Sequence, residues 1–327
     1  MSEIPADAPF RDPEAPLEAR IDDLLSRMTL EEKVRCLDTN PSLPRFGIVA
    51  SGHVEGLHGL SQGGPGKWGK DDPIPTTTFP QAIGLGETWD PELVRAAAAL
   101  EGHEARFVYH RSNGERGGIV VRAPNADIGR DPRWGRTEEC YGEDAYFNGV
   151  MTQAFVRGLQ GDHPRYWQAA SLMKHFLANS NENERGRSSS SFDERLFREY
   201  YSLPFRKGIE AGSRAFMAAY NKYNGVPCHV HPVLEDIARR EWGQDGIICT
   251  DGGGFQQLLT LHRWYPTLAE AAQAVLYAGI GQFLDEFEPA VNDALARGLV
   301  TEADVERTIR PNFRVMIRLG LLDPPER

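Results

Sequence analysis

The sequence has no run of about 18 apolar residues, which leaves no candidate for a membrane-spanning helix. It has only four cysteines in 327 residues, Cys36, Cys140, Cys228 and Cys249, and no two share a paired spacing. That argues against a disulfide framework or a cysteine zinc site and leaves reduced core thiols. Lysine is scarce, with six residues among 36 basic side chains, and the formal charge is −11. Nucleic-acid binding needs clustered basic residues, so that class is excluded, and an acidic surface gives an anionic membrane nothing to attract. The Pro-rich opening MSEIPADAPFRDPEAP lacks the charged-then-apolar build of a secretory signal, and the expected location is cytoplasmic. There is no internal repeat, and neither a cofactor nor a metal is expected.

What is present is ordinary globular material, 40% hydrophobic and 25% charged. The pattern predicts an N-terminal extended arm over 1–16 and one barrel domain over 17–327. Leu17 to Met28 has helical spacing, and Thr29 with Glu32 reads as a capping box opening a second helix. Strand-like and helix-like stretches then alternate. GIVAS (47–51), GIVVRAP (118–124), SLMKHF (171–176), RAFMAAY (214–220) and GIICT (246–250) read as strands. Asp90-Pro91 starts a long helix, Ala145 to Leu159 is helical, and Asp193 caps a helix to about Ala211. Asn224-Gly225 reads as a turn and Ser188 to Ser191 as a mobile loop; three more helical stretches end at Leu319-Gly320. This alternation predicts an α/β fold, a TIM-type (β/α)8 barrel with room for an irregular first strand or helix.

The polar signals fall at the C-terminal ends of these strands, where barrel enzymes build their sites. Glu55 follows the first strand, Lys174 and His175 end another, Tyr220 a third, and Asp251 follows GIICT and precedes three glycines. A carboxylate there stands at the barrel mouth; the alternative is an N-cap for a helix beginning near Gly254. Adjacent strand residues diverge, so Lys174 and His175 share a target only if the backbone is distorted or cis beside them. Otherwise one points inward and the other joins a surface salt bridge. In GRDPRWGR (129–136) and at Arg185 most guanidiniums read as ion-pair partners, with Glu138, Glu139, Glu143 and Asp144 opposite them. At most one arginine of that segment touches ligand. A carboxylate, a basic pair, arginines and aromatics around one mouth suit a polyhydroxylated small molecule. Retaining glycosidases need a carboxylate nucleophile and a second carboxyl as acid/base, and a nearby cation keeps the nucleophile ionised.

These residues carry a resemblance. The stretches MTLEEKV (28–34), VEGLHGL (54–60), TTFPQAIGLGETWDPELV (77–94), APNADIGRDPRWGRTEECYGED (123–144), VRGLQGD (156–162), KHFLANSNENER (174–185), MAAYNKYNGVP (217–227), EWGQDGIICTDGG (241–253) and RLGLLDPP (318–325) are similar to the N-terminal barrel of glycoside hydrolase family 3, the β-glucosidases, β-xylosidases and related exo-acting enzymes. The resemblance implies that Asp251 is the nucleophile and that Glu55 grips the outer hydroxyls of the first sugar. It implies that Arg136, Lys174, His175 and Arg185 contact the same sugar, and that Met217 and Tyr220 form its wall.

Three departures from that pattern matter. Gly252 stands where many members have Trp or Cys, so the aromatic wall for a second sugar is absent or comes from elsewhere. AGIGQFLDEFEP (278–289) lacks the usual acidic, glycine-flanked motif. The acid/base Glu of the family's following domain has no counterpart here, nor does the His-Asp pair that single-domain members carry in the loop after KHF. Glu182 and Glu184 in that loop read as partners of Arg185 and Arg187. The expectation is therefore a retaining exo-β-glycosidase barrel for glucose- or xylose-like ends of an oligosaccharide or glycoside. A missing C-terminal domain would supply the acid, and the open side of the barrel that it normally covers is expected to expose apolar surface and favour self-association. The longer Glu55, where glucosidase-like members commonly have Asp, tilts the choice slightly toward pentose-like or mixed specificity, with glucose the sugar that the resemblance implies first. Two other readings stay open: a sugar-binding barrel or fragment without turnover, and a lyase or aldolase forming a Schiff base on Lys174.

Overall fold

The computed structural model describes residues 5, 7–64, 67–70 and 72–324. The opening of the expected arm (1–4 and 6) and the end of the expected barrel domain (325–327) lie outside the described residues. From Ala8 the arm packs down: Phe10 is fully buried, its amide donates to Asp23, and Arg11 donates to the Phe46 carbonyl.

Five parallel strands form the centre: β1 (His53–Glu55), β2 (Val120–Arg122), β3 (Ala170–Phe176), β5 (Ala215–Ala218) and β8 (Ile247–Cys249), in the order β1-β2-β3-β5-β8. β3 is buried along its whole length, as a parallel strand covered on both faces must be. The curve continues past β8 through single parallel bridges, Cys249 to Gln282 and Phe283 to Asp38. A smaller sheet joins β4 (Ser189–Ser190) in parallel to β6 (Lys222–Tyr223), which pairs antiparallel with β7 (Val226–Pro227). Helices lie between the strands, which gives the α/β fold that the alternation predicts.

Several local signals are realised as side-chain geometry. Thr29 and Glu32 complete the capping box. Asp90 accepts the amides of Glu92 and Leu93, and Pro91 opens the 21-residue helix Pro91–Arg111. The Asn224-Gly225 turn has φ of 46° and 84°, the left-handed pair that a tight hairpin demands. Helix Pro91–Arg111 crosses helix Ala145–Gln160 at glycines. A Cβ on Gly102 would lie 2.3 Å from the Leu159 carbonyl, and one on Gly158 2.1 Å from that of Arg95.

Four expectations change. GIVAS is not a strand: Ile48 makes one bridge back to Leu43, and the first ladder begins at His53. Gly47 and Gly52, at φ of 68° and 58°, break the extended path on either side. The helix after Asp193 is divided, with a wider turn at Phe197–Tyr201 between Glu194–Leu196 and Leu203–Glu210; Pro204 lacks the amide needed to run through. The serine run is held in the small sheet by Lys222 and Asn224 amides on the Ser188 and Ser190 carbonyls. Among the described residues four helices, not three, follow β8: Gly254–Thr260, Leu268–Tyr277, Glu288–Ala296 and Glu302–Arg318.

Candidate active site

The C-terminal ends of β1, β2, β3, β5 and β8 open into one cavity of about 870 Å³. Glu55, Arg136, Lys174, His175, Arg185, Met217, Tyr220 and Asp251 all line it. All eight residues singled out in the sequence therefore meet at one place.

The convergence of Lys174 and His175 comes from the distorted end of β3. Its register against β5 shifts between Met173 and Phe176, and the Lys174–His175 and Phe176–Leu177 peptides are both cis. The expected distortion is present, and neither side chain goes to the surface: Lys174 is 4% exposed and His175 2%.

Lys174 Nζ donates to Glu55 Oε2 at 2.6 Å, and Arg122 Nη1 donates to Glu55 Oε1 at 3.1 Å. Burial pushes the Glu55 carboxyl up, but the Lys174 and Arg122 charges and their hydrogen bonds prevail and hold it at about 2. Behind this trio Arg122 donates to Nδ1 of His53, whose Nε2 faces Gln282 Oε1 at 2.9 Å.

His175 is held from behind by Asp127. Asp127 Oδ2 accepts the His175 backbone amide at 3.0 Å and lies 2.9 Å from Nδ1. An oxygen already accepting an amide is the acceptor for Nδ1–H as well, which leaves Nε2 unprotonated toward the cavity. Burial, reinforced by Arg136, Lys174 and Arg185, lowers the His175 pKa well below its ordinary range. The parallel bridge of Asn125 to Lys174 carries the β2 chain far enough to bring Asp127 there.

Asp251 is not the cap of the following helix. Its Oδ1 accepts the Gly252 amide at 2.7 Å, and its Oδ2 faces His175 Nε2 at 3.9 Å with no hydrogen-bond partner among the described residues. The expected depression of its pKa is not the net result. Burial pushes it up, opposed by the Gly252 amide, the Lys174 charge, the Tyr220 hydroxyl and Arg136. The Tyr220 hydroxyl donates to the Gly252 carbonyl, and the Arg185 guanidinium lies 4.4 Å over the Tyr220 ring.

Of the GRDPRWGR arginines one reaches the cavity. Arg136 makes a two-point contact with Glu139, at 2.7 and 2.6 Å. Arg133 pairs with Asp131 at the surface, and Asp144 caps helix Ala145–Gln160. Arg185 pairs with Glu182, as its spacing predicts.

The sequence reading missed Arg122, Trp68 and Asp285 in the cavity wall and Asp127 behind it. Arg122 ends a strand and was open to the same rule that found Lys174. Trp68, 44% exposed, and Asp285 line the wall. Asp285 takes the amides of Gly253, Phe255 and Gln256, within the segment that lacks the usual acidic motif. Asp127 lies within a quoted motif, but nothing in its spacing announces a contact 48 residues away. No group of three or more His, Cys, Asp or Glu that could hold a metal occurs among the described residues. No described helix is long and apolar enough to cross a membrane.

Residues 26–315 match the glycosyl hydrolase family 3 N terminal domain. A probable beta-D-xylosidase 7 of Arabidopsis thaliana is 34% identical over 94% of this chain and 42% of its own length. Among solved structures, a GH3 exo-beta-xylosidase (XlnD) in complex with a xylobiose aziridine probe superimposes with a TM-score of 0.85 at 23% identity. It covers 97% of this chain and 42% of its own. A b-glucosidase, EmGH1, from Erythrobacter marinus superimposes at 0.84 with 27% identity over 98% and 48%. The chain thus spans less than half the length of these relatives.

Proposed function

The chain belongs to glycosyl hydrolase family 3, as its N-terminal domain, and from that premise we propose that it is the nucleophile-bearing part of a retaining exo-acting β-glycosidase. In this reading Asp251 attacks the anomeric carbon of a non-reducing terminal sugar and forms a glycosyl ester that water then hydrolyses. The observation that carries it is the unpartnered Oδ2 of Asp251, in the cavity that also holds the Glu55–Lys174–Arg122 cluster. Glu55 and Lys174 offer an acceptor and a donor to adjacent hydroxyls, and His175 Nε2 offers a further acceptor. Met217 and Tyr220 supply an apolar wall. We favour a pentose such as xylose, because the longer Glu55 fills space that a hydroxymethyl group needs; the name of the Arabidopsis thaliana relative, a probable beta-D-xylosidase, supports this choice.

Every other cavity carboxyl among the described residues is already engaged. Glu55 meets two cations, Glu139 meets Arg136, Asp285 takes three amides, and Asp38 at the exposed rim accepts the Asn40 amide. We infer that the general acid comes from outside this set, by way of a further domain or a second copy. A Schiff-base role for Lys174 is disfavoured, because its amine is committed to Glu55.

The test is exposure to 2-deoxy-2-fluoro β-xyloside and β-glucoside carrying dinitrophenolate, followed by intact mass and peptide mapping. One glycosyl adduct on Asp251, lost in Asp251→Asn, supports the reading. No adduct, or one on another residue, overturns it.

A further inference from the structure

The chain around Asp251 uses up its amides in an unusual way. The Asp251 amide donates to Nε2 of His229 at 3.2 Å, and the Gly252 amide to Asp251 Oδ1. The Gly253 amide goes to Asp285 Oδ1 and the Gly254 amide to the Asp251 carbonyl at 2.9 Å. The Phe255 and Gln256 amides both reach Asp285 Oδ2, at 2.7 and 3.3 Å. Amides at the start of a helix have no partner within it, and buried ones must find partners elsewhere. Here two side chains from distant elements, one before β8 and one after it, meet that need.

We propose that His229 and Asp285 are positioning residues for Asp251, holding the turn over 251–256 so that Oδ2 stays free and faces the cavity. The proposal rests on the reading of Asp251 as nucleophile and extends it to two residues that act through the backbone of its turn. His229 is 0% exposed, and its Nδ1 has no hydrogen-bond partner among the described residues. A histidine is poorly suited to such burial unless its one bond is useful. The ring reaches the Asp251 amide because residue 254 is glycine: a Cβ there would lie 2.5 Å from Cε1 and Nε2. To accept that amide, Nε2 must be unprotonated, and burial lowers the His229 pKa to about 3, which secures it. Asp285 accepts through both oxygens and does for the helix Gly254–Thr260 what a side-chain cap would do, since Gly253 at its start has none.

The test compares His229→Leu, which removes the acceptor, with His229→Gln, which keeps an acceptor at similar reach, and Asp285→Ala with Asp285→Asn. Amide hydrogen exchange of peptides spanning 250–257 is read by mass spectrometry, alongside the rate of 2-fluoroglycosyl labelling. His229→Leu and Asp285→Ala should speed exchange in 250–257 and nowhere else. Their maximal labelling should slow by roughly 10- to 100-fold with half-saturation changed less than about threefold, as expected for a displaced nucleophile. His229→Gln should recover most of both, whereas Asp285→Asn, with one acceptor oxygen where the turn uses two, should recover only part. A folded His229→Leu protein with unchanged exchange and labelling overturns the inference. If the wild type takes no label, the functional reading fails, and the exchange data alone decide whether His229 and Asp285 hold the turn.

Discussion

Asp127 Oδ2 lies 2.9 Å from His175 Nδ1 and takes the His175 amide as well, so one buried oxygen sets both the place and the tautomer of the ring. Leucine at 127 would remove the acceptor of both N–H groups, leaving Nδ1–H without a partner and the ring able to take the other tautomer, with Nε2 as donor. Asp127→Leu should therefore lower kcat/KM for an aryl β-xyloside by on the order of 10²-fold or more, with the protein still folded. Nitrogen-15 NMR of the histidine ring should show the tautomer exchanged. An unaltered tautomer with full activity would remove Asp127 from the site.

Glu55 sets the outer limit of the sugar subsite. Shortening it by one methylene in Glu55→Asp should enlarge that end while keeping a carboxylate near Lys174 and Arg122. The ratio of glucoside to xyloside kcat/KM should rise by roughly 10-fold or more, within the range that one methylene in a pocket commands. Steady-state kinetics on the two aryl glycosides decides it. A wild-type preference for glucose of a hundredfold would show the pentose assignment to be mistaken.

Leaving-group chemistry follows from the engaged carboxyls of the cavity. General acid catalysis commonly contributes about 10²–10⁴-fold, and among the described residues the buried cavity carboxyls other than Asp251 are held by cations or amides. The purified 327-residue chain should release dinitrophenolate readily and leave xylobiose and cellobiose almost untouched. A series of aryl xylosides should give a rate falling steeply as the phenol becomes less acidic. Efficient hydrolysis of either disaccharide would require an acid in this chain, and Glu182→Gln would be the first variant to examine.

Acid lability should appear well above the carboxylate range. His53 and His229 are both pushed down by burial to about 3 from an ordinary value of 6.5. Their unfolded forms bind protons that the folded forms refuse, so stability is lost as pH falls from 6.5 toward 3. Each contributes a slope of about 1.4 kcal/mol per pH unit in that window. Glu55, held at about 2 against 4.5, adds a loss that begins only below about 4.5. Urea midpoints at pH 7, 6 and 5 should therefore decline, and His229→Gln should flatten the decline.

Much of this was legible in the sequence because barrels separate their tasks. Strand interiors are apolar, so Glu55, Lys174 and Asp251 stand out at strand ends, and the caps at Thr29, Asp90 and Asp193 announce themselves locally. The resemblance supplied the role of Asp251, which position alone left balanced against a cap. What stayed hidden depends on contacts between distant segments. Asp127 is an ordinary acid until β2 runs on beside Lys174. His229 is a lone histidine in a turn until Gly254 lets its ring approach. The GIVAS misreading has the same origin, since β-branched content alone does not reveal two glycines in left-handed conformations at its edges.

The cations of the cavity are already answered from within: Lys174 and Arg122 by Glu55, Arg136 by Glu139, Arg185 by Glu182. Such short pairs cancel one another's field beyond a few ångströms, and ions in solution screen what remains. A chain of net charge −11 then draws no anionic ligand toward this mouth from a distance. Capture falls to random encounter and to fit, so an uncharged sugar should bind as readily in dilute buffer as in concentrated salt, while a uronic acid would arrive with nothing left to neutralise it.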